Sequence, residues 1–145
     1  NAFAPLRLSR LFSDALAISK GSIIMINSAV LRHSQPEFGG YKLSKGTLVH
    51  LASALATELG SRGIRVNSVA PSWIYEDVNK AYFDWMASER GITHEEIYTE
   101  IADKTDLKRL ATPEEVAQAA LYLASPGAAY VTGTVLNVTG GMAMI

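Results

Sequence analysis

The 145-residue chain contains no cysteine. Disulfide scaffolds, thiolate metal centres and cysteine nucleophiles are thereby excluded. It has almost no net charge either: 13 basic and 14 acidic residues leave a formal charge of −1. A protein built to hold nucleic-acid phosphates needs a basic surplus, so no nucleic-acid partner is expected. No apolar run approaches the ~20 residues of a membrane span, so no membrane partner is expected. Pro5, Arg7 and Arg10 interrupt the N-terminal stretch where a signal peptide would need an apolar segment. What the chain does have is apolar surface to bury, 48% hydrophobic residues against 19% charged. That is an ordinary globular composition, which disordered chains lack. Residues 1–145 read as a single domain, and because Asn1 opens in a helical pattern, as part of a longer protein.

Leu8, Leu11, Phe12, Ala15 and Leu16 recur at helical spacing within residues 5–19, and Lys20-Gly21 ends that helix. SIIMIN, residues 22–27, is short, apolar and isoleucine-rich, as a strand buried on both faces should be. A helical pattern over 41–59 follows, closed by Gly60 and Gly63, and IRVNSVA, residues 64–70, is a second strand stopped by Pro71. Strand, long helix and strand make the βαβ unit of a parallel sheet, so the fold class is α/β with a doubly wound, Rossmann-like parallel sheet. Residues 74–109 differ, with nine carboxylates, five basic residues and the aromatics Tyr75, Tyr82, Phe83, Trp85 and Tyr98. Two amphipathic helices broken at Gly91 fit this excursion, which either covers a site or only packs. Thr112-Pro113-Glu114-Glu115 starts a further helix with a capping box, running to Ala124, and TVLNV, residues 134–138, is a third strand.

In a parallel sheet the carboxyl ends of the strands face the starts of the following helices, and ligands of open α/β sheets bind there. Ser28, Tyr41, Pro71 to Ile74 and the start of the first helix at Asn1 all fall on that edge. Tyr41 and Lys45 are four apart, on one helix face, in line with Leu48, Ala52, Leu55 and Leu59. This stripe packs on the sheet, which turns the phenol and the ammonium toward Ser28. A phenol beside a partly desolvated cation is a plausible acid–base group, and a serine hydroxyl can donate to a carbonyl or alkoxide oxygen.

The pieces SIIMINSAV, YKLSK, GIRVNSVAPSWI, RLATPEEVAQAALYLAS and VTGTVLNVTGG together resemble the C-terminal half of the short-chain dehydrogenase/reductase family. Ser28 lies thirteen residues before Tyr41, the spacing of classical members. The resemblance implies an oxidoreductase that moves hydride between NAD or NADP and a secondary alcohol or ketone. It makes Tyr41 the proton donor or acceptor, Lys45 the group that lowers its pKa and binds the nicotinamide ribose, Ser28 the group that polarises the carbonyl, and Asn1 the holder of a relay water. Tyr41, Lys45, Pro71, Ser72 and Ile74 would contact the cofactor. Ser28, Val30, His33 and Tyr75 would contact the substrate, with Arg32, Gln35 and Phe38 in the same loop. Residues 75–109 would be a substrate lid. A cytoplasmic homo-oligomer, dimer or tetramer, is implied as well, with helices 2–19 and 41–59 in a shared bundle.

Two departures stand out. The family's Pro-Gly is Pro71-Ser72 here, and Glu76 stands where a threonine is expected. No G-x-x-x-G-x-G loop exists to hold a pyrophosphate, and neither Gly39-Gly40 nor Gly140-Gly141 follows a strand and opens a helix as that loop must. The alternative reading is a non-catalytic piece that folds or oligomerises without a dinucleotide. A hydrolase built on Ser28 with His33 or His50 lacks the glycines of a nucleophile elbow. His33, His50 and His94 have no metal-ligand spacing, so no metal is expected. Two strands apolar on both faces need neighbours, so further residues or a second chain should complete the sheet.

Overall fold

The computed structural model describes residues 2–32 and 38–142. Its elements are α1 (Phe3–Ser19), β1 (Ser22–Ile26), α2 (Gly39–Gly60), β2 (Arg65–Pro71), α3 (Asp77–Arg90), α4 (His94–Ala102), α5 (Pro113–Ala124) and β3 (Val135–Val138). The strands form one parallel sheet in the order β1-β2-β3. Ser22 pairs with Arg65 and Ile26 with Val69, and on the other side Ser68 pairs with Val135 and Pro71 with Val138.

The central strand β2 is buried from Val66 through Pro71, as its unbroken apolar run requires. Pro71 belongs to the strand instead of stopping it. The N–H groups of Ser68 and Ser72 donate toward β3, at 2.9 Å to Thr134 and 3.2 Å to Val138. The alternation of a parallel ladder therefore aims position 71 toward the β1 side, where the last bond is from the Asn27 N–H to the Val69 carbonyl at 2.7 Å; proline has no N–H to carry that ladder further, while its other side still pairs with β3. Successive side chains of β2 point to opposite faces. Val66 joins Met25, Leu48, Ala52, Leu55, Leu59 and Ile64 on the α2 side, whereas Val69 joins Val116, Leu123 and Ala128 on the α5 side. The helical stripe expected from Leu48 to Leu59 is the buried face of α2.

Helices α3 and α4 pack on each other around a separate core of Phe83, Ala87, Ile97, Ile101, Ala102 and Leu110. Each begin and end has a local cause. The Glu76 carboxylate accepts from the N–H groups of Val78 and Asn79 at 2.9 and 3.1 Å, which caps α3. Gly91 ends α3 in the left-handed region at φ 64. Thr93 and Glu96 form a capping box on α4, and Thr112 and Glu115 form the expected one on α5.

Glu115 also takes a two-pronged grip from Arg109, at 2.6 and 2.8 Å. The Arg109 hydrogen bonds, followed by the Thr112 N–H, hold its carboxyl at about 2. A depressed carboxylate pKa stabilises the fold above the ordinary value of ~4.3, and that contribution is lost as pH falls toward the folded value. Glu115→Gln should therefore weaken the acid dependence of unfolding between pH about 4 and about 2 while leaving the neutral-to-basic limb unchanged, read from denaturant midpoints across that range.

The α3–α4 excursion is fastened at both ends. Ile74 pairs with Ala111. The Tyr75 N–H donates to Ala111 at 2.8 Å, and the Ala111 N–H donates to Trp73 at 3.3 Å. At the other end the Gly140 carbonyl accepts from Asp106 and Leu107, at 2.8 and 3.1 Å. Gly141 sits at φ 88, and a methyl there would collide with the Asp106 carboxylate, so only glycine lets this turn close on the excursion.

Among the described residues nothing pairs with the outer edge of β1. It lies along a groove of about 470 Å³ lined by Leu8, Phe12 and Leu16 of α1, by β1 itself and by Lys45 and Leu48. Leu8, Phe12 and Ile26 are each about half exposed. No helix among the described residues is long and apolar enough to cross a membrane.

Candidate active site

The carboxyl ends of β1 and β2 and the start of α2 converge, as the topology requires. Ser28 is the second residue past β1. Its Oγ accepts from the Val30 N–H at 3.2 Å, which turns the chain into a short 3-10 segment at Ala29–Arg32 and leaves the hydroxyl proton free to donate. Tyr41 stands in the first turn of α2, 42% exposed, with Phe38 edge-on at 6.3 Å. Ser28 and Tyr41 line one cleft of about 220 Å³, together with Val30, Phe38, Ser72, Trp73, Asn79 and Met142.

Lys45 stands one turn behind Tyr41. Its Nζ donates to the Ile26 carbonyl at 2.8 Å and lies 5.6 Å from the Tyr41 ring centroid. Burial against the sheet pushes its pKa down, because the charged form loses hydration. Pro71 is buried at the end of β2. The Ile74 carbonyl accepts from the Glu76 N–H at 3.0 Å and from Asn79 Nδ2 at 2.8 Å, while its N–H has no partner among the described residues. The structure thus gathers Ser28, Val30, Tyr41 and Ser72 around one space, with Lys45, Pro71 and Ile74 behind it.

Tyr75, expected to contact substrate, turns away from the cleft. Its ring packs at 4.8 Å on Tyr98 and 6.3 Å on Phe83, and its hydroxyl meets His94 Nε2 at 3.1 Å. His94 in turn bonds Asp84 through Nδ1 at 2.5 Å. A carboxylate only accepts, so Nδ1 carries the proton that faces Asp84. His94 is consequently a tie between α3, α4 and the segment leaving β2, where a loop or surface histidine was expected. Asn1, His33 and Gln35 lie outside the described residues. Glu76, in place of the expected threonine, serves as the cap of α3.

Trp73, Asn79 and Met142 were not singled out from sequence. Trp73 is the second residue past β2, Asn79 sits in the first turn of α3, and Met142 follows the Gly140-Gly141 turn. Asn79 had one legible signal, a position three residues after a capping carboxylate. Asn27, buried beside Ser28, donates to Ser68 Oγ at 3.4 Å and leaves its Oδ1 without a partner. Among the described residues no cluster of histidine, aspartate and glutamate could hold a metal.

Comparison with known proteins bears on this arrangement. A family profile described as enoyl-(acyl carrier protein) reductase matches residues 1–143. The 3-oxoacyl-(acyl-carrier-protein) reductase of Chlamydia trachomatis is 39% identical over 125 residues, covering 85% of this chain and 45% of that protein. The crystal structure of sorbitol-6-phosphate 2-dehydrogenase from Erwinia amylovora has a TM-score of 0.85 at 35% identity, over 94% of this chain and 55% of that one. Actinorhodin polyketide ketoreductase, solved with NADPH, has a TM-score of 0.78 at 30% identity, over 88% of this chain and 49% of that one. The chain spans about half the length of the curated relatives it matches. With its Rossmann-like parallel sheet and its serine, tyrosine and lysine at one sheet edge, the chain belongs to the short-chain dehydrogenase/reductase family of oxidoreductases.

Proposed function

We propose that these residues are the acid–base and substrate half of an NAD(P)-dependent oxidoreductase that interconverts a secondary alcohol and a ketone. The observation that carries this reading is the shared cleft of Ser28 and Tyr41, with the Lys45 cation one turn behind the phenol. The free Ser28 hydroxyl donates to the substrate oxygen. Tyr41 gives that oxygen its proton during reduction and takes it back during oxidation. Lys45 stabilises the phenolate through its charge. Asn1 would hold a relay water, as the family resemblance implies.

The residues present suit the nicotinamide end of a dinucleotide. Ile74 keeps an uncommitted N–H next to the cleft-lining Ser72 and Trp73, and Lys45 holds a cation at the end of β1. Tyr41, Lys45, Pro71, Ser72 and Ile74 would hold that end; when bound, the nicotinamide supplies or accepts the hydride. The phosphate-binding turn and the residue choosing NAD or NADP belong to the remainder of a longer protein in this reading. The same remainder, or a second chain, would cover the β1 edge and the α1 groove. Residues 75–109 act as the lid over substrate, with Ser28 and Val30 beneath. A cytoplasmic homo-oligomer completes the proposal.

The missing glycine loop favours a second reading for the isolated chain, a piece that folds or oligomerises without binding dinucleotide. Fluorescence titration of NADH and NADPH separates the two. Saturable binding by the full-length protein and none by the 145-residue chain is the expected result. Binding of neither nucleotide by the full-length protein would overturn the oxidoreductase reading.

A further inference from the structure

The polar groups of the cleft are divided by kind. On the β1–α2 side stand two donors for the reacting oxygen, Ser28 and Tyr41. From the first turn of α3, Asn79 lines the same cleft. Its Nδ2 is committed to the Ile74 carbonyl at 2.8 Å, and because a carbonyl only accepts, this fixes which end of the amide is nitrogen. Its Oδ1 has no partner among the described residues, so the side chain offers the cleft an acceptor. Ser72 Oγ donates its proton to the Thr139 carbonyl at 3.3 Å, which leaves its oxygen as a second acceptor in the same cleft. Trp73, Phe38 and Met142 supply the apolar walls.

The geometry points to a substrate that carries a hydroxyl a few bonds from the ketone, a hydroxyketone or the corresponding polyol, with Asn79 accepting from that hydroxyl. The inference rests on the oxidoreductase reading above. A ketone without a donor leaves the amide oxygen facing an apolar group, and a site built for a hydroxyl discriminates against such an analogue.

Hydroxyacetone and methoxyacetone test this directly in the full-length protein. Their oxygen substituents activate the ketone similarly, and only one of them has a proton to donate. Consumption of NADH or NADPH should give wild type a kcat/KM preference for hydroxyacetone of about fivefold, the worth of one hydrogen bond to a neutral acceptor. Asn79→Leu should bring the ratio close to one. The wild-type ratio stands even if that variant folds poorly, which its thermal melt reports. Equal rates for the two ketones in wild type, or an unchanged ratio in Asn79→Leu, overturn this inference and leave the oxidoreductase reading intact. If neither these ketones nor the hydroxyl-free cyclohexanone is reduced with either nucleotide, both fall together.

Discussion

Replacing Tyr41 by phenylalanine in the full-length protein is expected to lower kcat for ketone reduction by roughly 10²–10⁴-fold, the range a positioned acid–base group contributes. Among the described residues lining the cleft, the phenol is the group able both to give and to take back a proton at the substrate oxygen; Ser28 donates a hydrogen bond but does not ionise near neutral pH. The substitution removes one oxygen from a side chain that is 42% exposed, so it leaves no buried group unpaired, and the melting temperature should stay close to that of wild type. Nucleotide affinity, measured by fluorescence, should fall far less than kcat, because Lys45 keeps its bond to the Ile26 carbonyl without the phenol and Pro71, Ser72 and Ile74 are untouched. Activity above a tenth of wild type would remove Tyr41 from the chemistry.

The largest loss of stability is expected from Phe83→Ala. Phe83 has no exposed surface and is the largest side chain in the core shared by α3 and α4. Its ring centroid lies 5.5 Å from Trp73, 6.3 Å from Tyr75 and 5.8 Å from His94. Truncation of a buried phenylalanine costs about 3–5 kcal/mol, the lost transfer energy plus the cavity left behind. Trp85, on the same helix but 56% exposed, should cost under about 0.5 kcal/mol when truncated. Denaturant unfolding of the two variants beside wild type measures both. In Phe83→Ala the loosened support for Trp73 should also raise KM more than it lowers kcat. A loss below about 1 kcal/mol would mean that α3 and α4 do not share one packed core.

Much of this architecture can be read from local pattern. The isoleucine run of β1, the Leu48-to-Leu59 stripe of α2, the break at Gly91 and the Thr112–Glu115 cap are all decided by neighbours within a few residues. Tyr41 and Lys45 are legible for the same reason, because four residues of helix fix their common face. What the pattern could not supply was set by partners distant in sequence. Whether Pro71 ends β2 or belongs to it depends on where β1 stops. Trp73 becomes a cleft wall, and Tyr75 packs against the α3–α4 core, only because Ile74 pairs with Ala111 and the excursion folds back over Phe83. Met142 reaches the cleft through a turn whose shape depends on Asp106. His94 looked like one histidine among three until α3 and α4 packed and supplied Tyr75 and Asp84.

The paired fastenings at Ile74–Ala111 and at Asp106, Leu107 and Gly140 give residues 76–105 the character of an interchangeable cassette. Between two pinned feet, helices of another length or composition should be accommodated while the sheet edge that carries Ser28, Tyr41 and Lys45 stays in place.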